Sequence, residues 1–188
     1  MCLIVTVNGS PSPLSRTGVL LRATAHSVSE KLLGSRVEEV SLAADWKDIF
    51  CALDRSQVTP RGEASLRTAE QADLLIVGSP IFRGSYTGLL KHYFDLVDRE
   101  AMAGKTAVVA ATGGSPLHGL AIEHQLRPLL GFFNIQTVAT GLYGGPADFE
   151  DGKIQGQAML DRIERASSEA ASLLLGRRAV QSALEAAE

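Results

Sequence analysis

The sequence predicts an α/β fold: a parallel five-stranded sheet with helices on both faces. Three observations carry this. Short β-favouring apolar runs alternate with helix-length stretches along the chain. The runs are continuous rather than alternating, as in strands buried on both faces. Three of them end in loops rich in Gly, Ser and Pro that open helices, which is where such sheets bind ligands.

Each element has its own reason. Leu3 to Val7 is a first strand that stops at Asn8-Gly9-Ser10. From Ser15 to Leu33, Val19, Leu20, Ala23, Val28, Leu32 and Leu33 fit a helix that stops at Gly34. Val37 to Leu42 is a second strand, and Asp45 to Arg61 reads as an excursion with a helical turn. A short helix covers Glu63 to Gln71. Asp73 to Gly78 is the clearest strand, broken by Ser79-Pro80. Tyr86 to Asp98 is a helix, Thr106 to Ala111 a fourth strand, Leu117 to Phe132 a helix, and Ile135 to Leu142 a fifth strand. A glycine-rich stretch, Gly141 to Gly152, leads to a last helix from Ile154 to Leu175. Right-handed crossovers between five such strands favour the flavodoxin-like order 2-1-3-4-5 in a three-layer sandwich.

The chain has 188 residues, enough for one domain with one core. Residues 1–175 are expected to form that domain, and 176–188, rich in Ala, Glu and Arg, a loose helical tail. Apolar residues make up 45% and charged residues 21%, which excludes long disorder. A net charge of −3 argues against nucleic acid, whose phosphates demand a basic face. No apolar run is long enough to span a membrane, and the N-terminus lacks the basic start of a signal peptide. Cys2 and Cys51 are too few for a disulfide framework, lack metal-ligand spacing, and fit two reduced, buried thiols in a cytoplasmic protein.

The chemistry gathers in three loops. The first, Asn8 to Thr17, sets Ser10, Ser12, Ser15, Arg16 and Thr17 beside a helix N-terminus. Free amides and the helix dipole there favour an anion, hydroxyls can donate to phosphate, and Arg16 adds charge. The same residues would also serve a plain turn and N-cap. Neither GxxxxGK[ST] nor GxGxxG is present. The second loop, Ser79 to Gly88, places Pro80, Ile81, Phe82 and Arg83 beside Gly84 and Ser85, which suits a heteroaromatic ring. The third, Thr112-Gly113-Gly114-Ser115-Pro116, pairs two glycines that let backbone approach a ligand closely. A phosphate nest and two ring-facing loops together fit a mononucleotide with a large ring, FMN.

With these loops in view, the sequence resembles the NAD(P)H-dependent FMN reductases of flavodoxin-like fold. It is most similar to those that serve two-component sulfonate monooxygenases. The resemblance is carried by Gly9-Ser10-Pro11 with Ser15-Arg16, by Ser79-Pro80-Ile81-Phe82 with Gly84 to Lys91, and by Ala111-Thr112-Gly113-Gly114 with His118. It runs over residues 1–175. It implies FMN as substrate or loosely held cofactor, NADH or NADPH as reductant, a flavin-dependent alkanesulfonate or methanesulfonate monooxygenase as partner, and a homotetramer or homodimer in the cytoplasm. NADH is the reductant of choice in this reading. Ser12 stands where many members carry arginine, which moves the phosphate charge onto Arg16. A quinone or azo reductase that retains FMN, and a flavodoxin-like electron carrier without a nicotinamide site, remain as alternatives.

Other centres are not expected. The four histidines are scattered and form no metal-binding spacing. There is no GxSxG elbow, although Gly-Ser-Pro occurs three times. No catalytic side chain is required, because the flavin carries the hydride chemistry; His118 reads as a supporting residue near the third loop. In the stretch from Leu117 to Phe132, the early apolar positions (Leu117, Leu120, Ala121) and the later ones (Ile122, Leu126, Leu129, Leu130, Phe133) fall on opposite helix faces, and Pro128 interrupts the ladder. One reading is a helix buried all round. The other is a π-bulge at His124, and the resemblance favours it, with an inserted residue at a subunit interface near the flavin.

Overall fold

The computed structural model of the chain describes residues 1–186. Its main sheet is parallel: β2 (Arg36–Ser41), β1 (Leu3–Asn8), β3 (Leu74–Pro80), β4 (Thr106–Thr112) and β5 (Gln136–Thr137) lie side by side in that order, with β6 (Leu142–Gly144) also paired to β4. The central strands are β1 (Leu3–Asn8), β3 (Leu74–Pro80) and β4 (Thr106–Thr112), and β2 (Arg36–Ser41) forms one edge. The central strands are buried almost throughout, as continuous apolar runs demand. The register aligns their carboxyl ends: Asn8 lies beside Gly78, and Pro80 beside Thr112.

Helices cover both faces. On one, α1 (Arg16–Lys31) and α7 (Gln157–Glu185) pack Leu20, Leu21 and Val28 with Ile163, Ala170 and Leu174. On the other lie α2 (Leu42–Ile49), α3 (Pro60–Glu70), α4 (Gly88–Leu96), the four-residue α5 (Arg99–Met102) and the segment before β5. Tyr93 and Phe94 fill the middle of that core, and the Tyr93 hydroxyl donates to Ser65 O at 2.9 Å, so its burial leaves no unpaired polar group. The ambiguous stretch 45–61 resolves into most of α2 and a 3₁₀ turn, Arg55–Gln57. The Arg55 guanidinium pins that turn to Glu63 and Glu70 of α3.

Four expectations are corrected. The fifth strand is two short pieces, β5 (Gln136–Thr137) and β6 (Leu142–Gly144). Between them side chains take the backbone groups a ladder would use: Arg127 donates to Val138 O and Ala139 O, and Glu169 accepts from the Thr140 amide. The glycine-rich stretch holds a hairpin, β7 (Phe149–Glu150) with β8 (Lys153–Ile154), turned by Asp151 and Gly152 at φ 48° and 72°. Residues 116–132 are not one helix but a 3₁₀ turn (Pro116–Leu120), a π-helical turn (Ile122–Leu126) and α6 (Arg127–Phe132). Pro128 then falls in the first turn of α6, where an amide donor is not needed.

The last correction concerns the thiols: Cys2 is buried, but Cys51, just past the end of α2, is exposed. The tail is helical and continuous with the last helix. α7 runs through Gly176 to Glu185, so the backbone has no break at 176; what changes there is burial, since the residues beyond Leu174 are exposed. Arg178 ties the extension to Asp73 at 2.9 Å, at the amino end of β3. Residues 187 and 188 of the expected tail lie outside the described residues.

Asp73 is the acidic anchor of that end. Burial pushes its carboxyl up, but the Leu3 amide at 2.7 Å and the Arg178 guanidinium outweigh burial and hold it below the usual carboxylate range. A lowered native pKa contributes stability that is complete above the unfolded value of about 3.9 and is lost as pH falls through the native value. Asp73→Asn is therefore expected to destabilise the protein at pH 7 and to change little at pH 2. Denaturant titrations at the two pH values check this; an equal loss at both would assign the effect to shape rather than charge.

Candidate functional site

The three loops meet at the carboxyl edge of β1, β3 and β4. Asn8 begins the first. Its buried Oδ1 accepts from the Ser10 amide at 3.1 Å, an Asx turn that swings the chain off the strand. Ser10 Oγ accepts from the Ser12 amide, and Ser12 Oγ donates to Leu14 O. Ser15 is the N-cap of α1, its Oγ accepting from the Gly18 amide at 3.0 Å. That leaves the amides of Arg16 and Thr17, in the first turn, with no acceptor inside the helix. Arg16 is exposed and forms no salt bridge among the described residues. The loop thus offers amides, hydroxyls and one guanidinium, a donor set suited to an anion.

Gly9 locks this loop onto the second. Its amide donates to Gly78 O at 2.8 Å, and a Cβ at Gly9 would come within 2.9 Å of Leu90 Cβ. Thr87 Oγ1 donates to Gly9 O at 2.6 Å and accepts from the Leu90 amide as the N-cap of α4. Ser79 Oγ accepts from the Thr87 amide at 3.0 Å.

The second loop is a tight hairpin. Phe82 and Ser85 exchange both backbone hydrogen bonds, and Arg83 and Gly84 between them have φ of 53° and 85°. Both central residues are left-handed, the signature of a two-residue type I′ turn. Phe82 stands 53% exposed at the lip, while Ile81 is buried below it.

Thr112 is the knot beneath all three loops. Its buried Oγ1 lies 2.7 Å from Thr17 Oγ1 of the first turn of α1, and its carbonyl accepts from the Ile81 amide of the second loop at 2.8 Å. The third loop leaves from it. Thr17, expected among the phosphate contacts, is therefore turned inward by its side chain and offers its amide instead. The Gly113 amide donates to Gly144 O at 3.1 Å. Ser115 caps the 3₁₀ turn, its Oγ accepting from the Leu117 amide, and its carbonyl accepts from the Tyr143 hydroxyl. Gly114 is exposed at the tip.

His118 sits behind this loop. Its Nδ1 is buried without a hydrogen-bond partner among the described residues. A Cβ on Gly113 would lie 2.6 Å from the Tyr143 hydroxyl oxygen and 2.8 Å from His118 Nδ1, so both side chains back the glycine. Burial raises the Tyr143 phenol pKa. His124 is exposed in the π-helical turn; there the Arg127 amide reaches Ile122 O, five residues back.

Asn8, Thr87, Tyr143 and Gln125 belong to this edge although the sequence reading did not single them out. Asn8 before Gly9 carried a usable signal, because an Asn at a strand end favours an Asx turn. The other three act through contacts 28 to 78 residues apart along the chain. A cavity of about 1180 Å³ lies at the opposite, amino end of the sheet, lined in part by Asp73, Lys105, Arg177 and Val180, and shares no residue with the three loops.

Known proteins place this edge in context. The family described as NADPH-dependent FMN reductase matches residues 2–149. The chain is 43% identical over 162 residues to the NADH-dependent FMN reductase SfnF of Pseudomonas putida, covering 86% of this chain and 87% of that protein. It is 41% identical over 175 residues to an FMN reductase (NADPH) of Pseudomonas aeruginosa, covering 93% of each. The crystal structure of an oxidoreductase from Corynebacterium diphtheriae superposes with a TM-score of 0.81 at 30% identity, over 94% of this chain and 98% of that one.

The paired glycines of the third loop separate packing from exposure. Gly113→Ala is expected to cost about 1–3 kcal/mol by overpacking against Tyr143 and His118. Gly114→Ala, whose Cβ meets nothing within 4 Å, is expected to stay within about 0.5 kcal/mol of the parent. Thermal unfolding of the two variants side by side checks the contrast.

Proposed function

The chain belongs to the NADPH-dependent FMN reductase family, and from that premise we propose that it uses NADH to reduce FMN, which then leaves for a separate flavin-dependent monooxygenase acting on a sulfonate. The observation that carries the site assignment is the meeting of three donor-rich loops at one sheet edge, knotted together at Thr112. FMN, when bound, supplies the hydride-accepting ring. The chain supplies the cradle. The first turn of α1, with Ser10, Ser15 and Arg16, holds the phosphate, while Ser12 is spent on shaping the loop through Ser10 and Leu14 O; the amides of Gly114 and Ser115 face the polar edge of the ring, the Gly113 amide being taken by Gly144 O; Pro80, Ile81 and the Phe82 hairpin line its apolar part. The donor set fits the group, since the loop at the phosphate end presents a guanidinium and free amides with no carboxylate of its own.

No side chain is asked to move a proton. The work of the protein is orientation and exclusion of water from one ring face, leaving the other open to the nicotinamide. The sulfonate assignment rests on the sequence resemblance. The exposed Leu117, Leu120 and Phe132 around the π-helical turn support a homotetramer built on this segment, with His124 as the inserted residue. A monomer in sedimentation velocity at micromolar concentration would remove that assembly.

The direct test is steady-state oxidation of NADH and NADPH with FMN, FAD and riboflavin as acceptors. FMN is expected to be the best acceptor and to appear reduced in the filtrate; flavin that stays on the protein through turnover would favour a quinone or azo reductase. Arg16→Ala is expected to weaken FMN by about tenfold to a hundredfold, the range for a lost charge-assisted hydrogen bond, and riboflavin hardly at all. Equal weakening of both flavins would take the phosphate off this loop.

A further inference from the structure

The tip of the second loop is tethered from outside. Ser85 Oγ donates to Gln125 Oε1 at 3.2 Å, across 40 residues of sequence. Ser85 closes the Phe82–Ser85 hairpin, and Gln125 lies in the π-helical turn. The base of the hairpin is fixed by backbone bonds, while Arg83 and Gly84 at its tip are exposed. The other end of the tether is firm. Ile122 and Leu126 on either side of Gln125 are buried, and Arg127 just beyond is bound to Glu123, Thr137, Val138 O and Ala139 O.

Gln125 lies inside the wide turn. The Arg127 amide reaches back five residues to Ile122 O, so the turn holds one residue more than an α-helical turn.

We propose that Gln125 is a positioning residue for the flavin: it acts through Ser85 to hold the Phe82-Arg83-Gly84 hairpin against the ring. This rests on the FMN reading of the edge. The bond joins a hydroxyl to an amide oxygen, so its worth depends on an oxygen acceptor at 125 and not on the amide nitrogen. Gln125→Glu keeps such an oxygen; Gln125→Leu removes it at similar size.

The test measures FMN affinity by flavin fluorescence and the KM and kcat for FMN in the parent, Gln125→Leu, Gln125→Glu, Ser85→Ala and the Gln125→Leu/Ser85→Ala double variant. Gln125→Leu is expected to raise the dissociation constant and KM about three- to tenfold with kcat within about twofold, the range for one net hydrogen bond. Gln125→Glu is expected to match the parent, and the double variant to be no weaker than the weaker single one. Both residues are only part-buried, so folding, checked by thermal unfolding, is expected to persist in every variant. Parent-like binding by Gln125→Leu, or multiplying effects in the double variant, would overturn the positioning role while leaving FMN reduction intact. A parent that neither binds nor reduces FMN would overturn both.

Discussion

The edge of this sheet depends on one buried hydroxyl pair. Thr17 and Thr112, 95 residues apart in sequence, meet at 2.7 Å beneath the three loops. A buried hydroxyl without a partner costs about 1–3 kcal/mol, so the pair fixes how α1 sits on the end of β4. The Thr112 carbonyl, taken by the Ile81 amide, fixes the second loop to the third in the same place. Gly9 against Gly78, with Thr87 bonded to the Gly9 carbonyl, completes the lacing between the first and second loops. The loops therefore share one frame, which a ligand spanning a phosphate and a ring requires.

The rest of the fold serves that frame. Parallel strands in register bring their carboxyl ends to one line, and the crossover helices cover both faces of the central strands. At the far end, Arg178 and Asp73 hold the long last helix across the amino ends of the strands. The π-helical turn sits between: buried on the side of Ile122 and Leu126, open on the side of Glu123 and His124, and bonded to the second loop through Gln125.

Much of this was legible in the sequence. The continuous runs Leu3 to Val7, Asp73 to Gly78 and Thr106 to Ala111 mark the central strands because full burial leaves no polar alternation to confuse them. The loops announced themselves through Gly-Ser-Pro at strand ends. The conflict of apolar faces around His124, with Pro128 four residues on, pointed to a register change. What was hidden is long-range. Nothing local says that Arg127 will take the carbonyls of Val138 and Ala139 and split the fifth strand, or that Thr17 will turn inward to Thr112. Nor does anything local say that Arg178, beyond Gly176 in the same helix, will pair with Asp73.

The account turns on Thr112 as the joint between phosphate and ring loops, and Thr112→Val removes its hydroxyl at nearly constant shape. Titration of the parent and this variant with FMN and with riboflavin is the most direct measurement. Misaligned loops should weaken both flavins together, by about tenfold, the scale of an unsatisfied buried Thr17 hydroxyl. Unchanged affinity for both, in a variant that still folds, would contradict the claim that this pair sets the site.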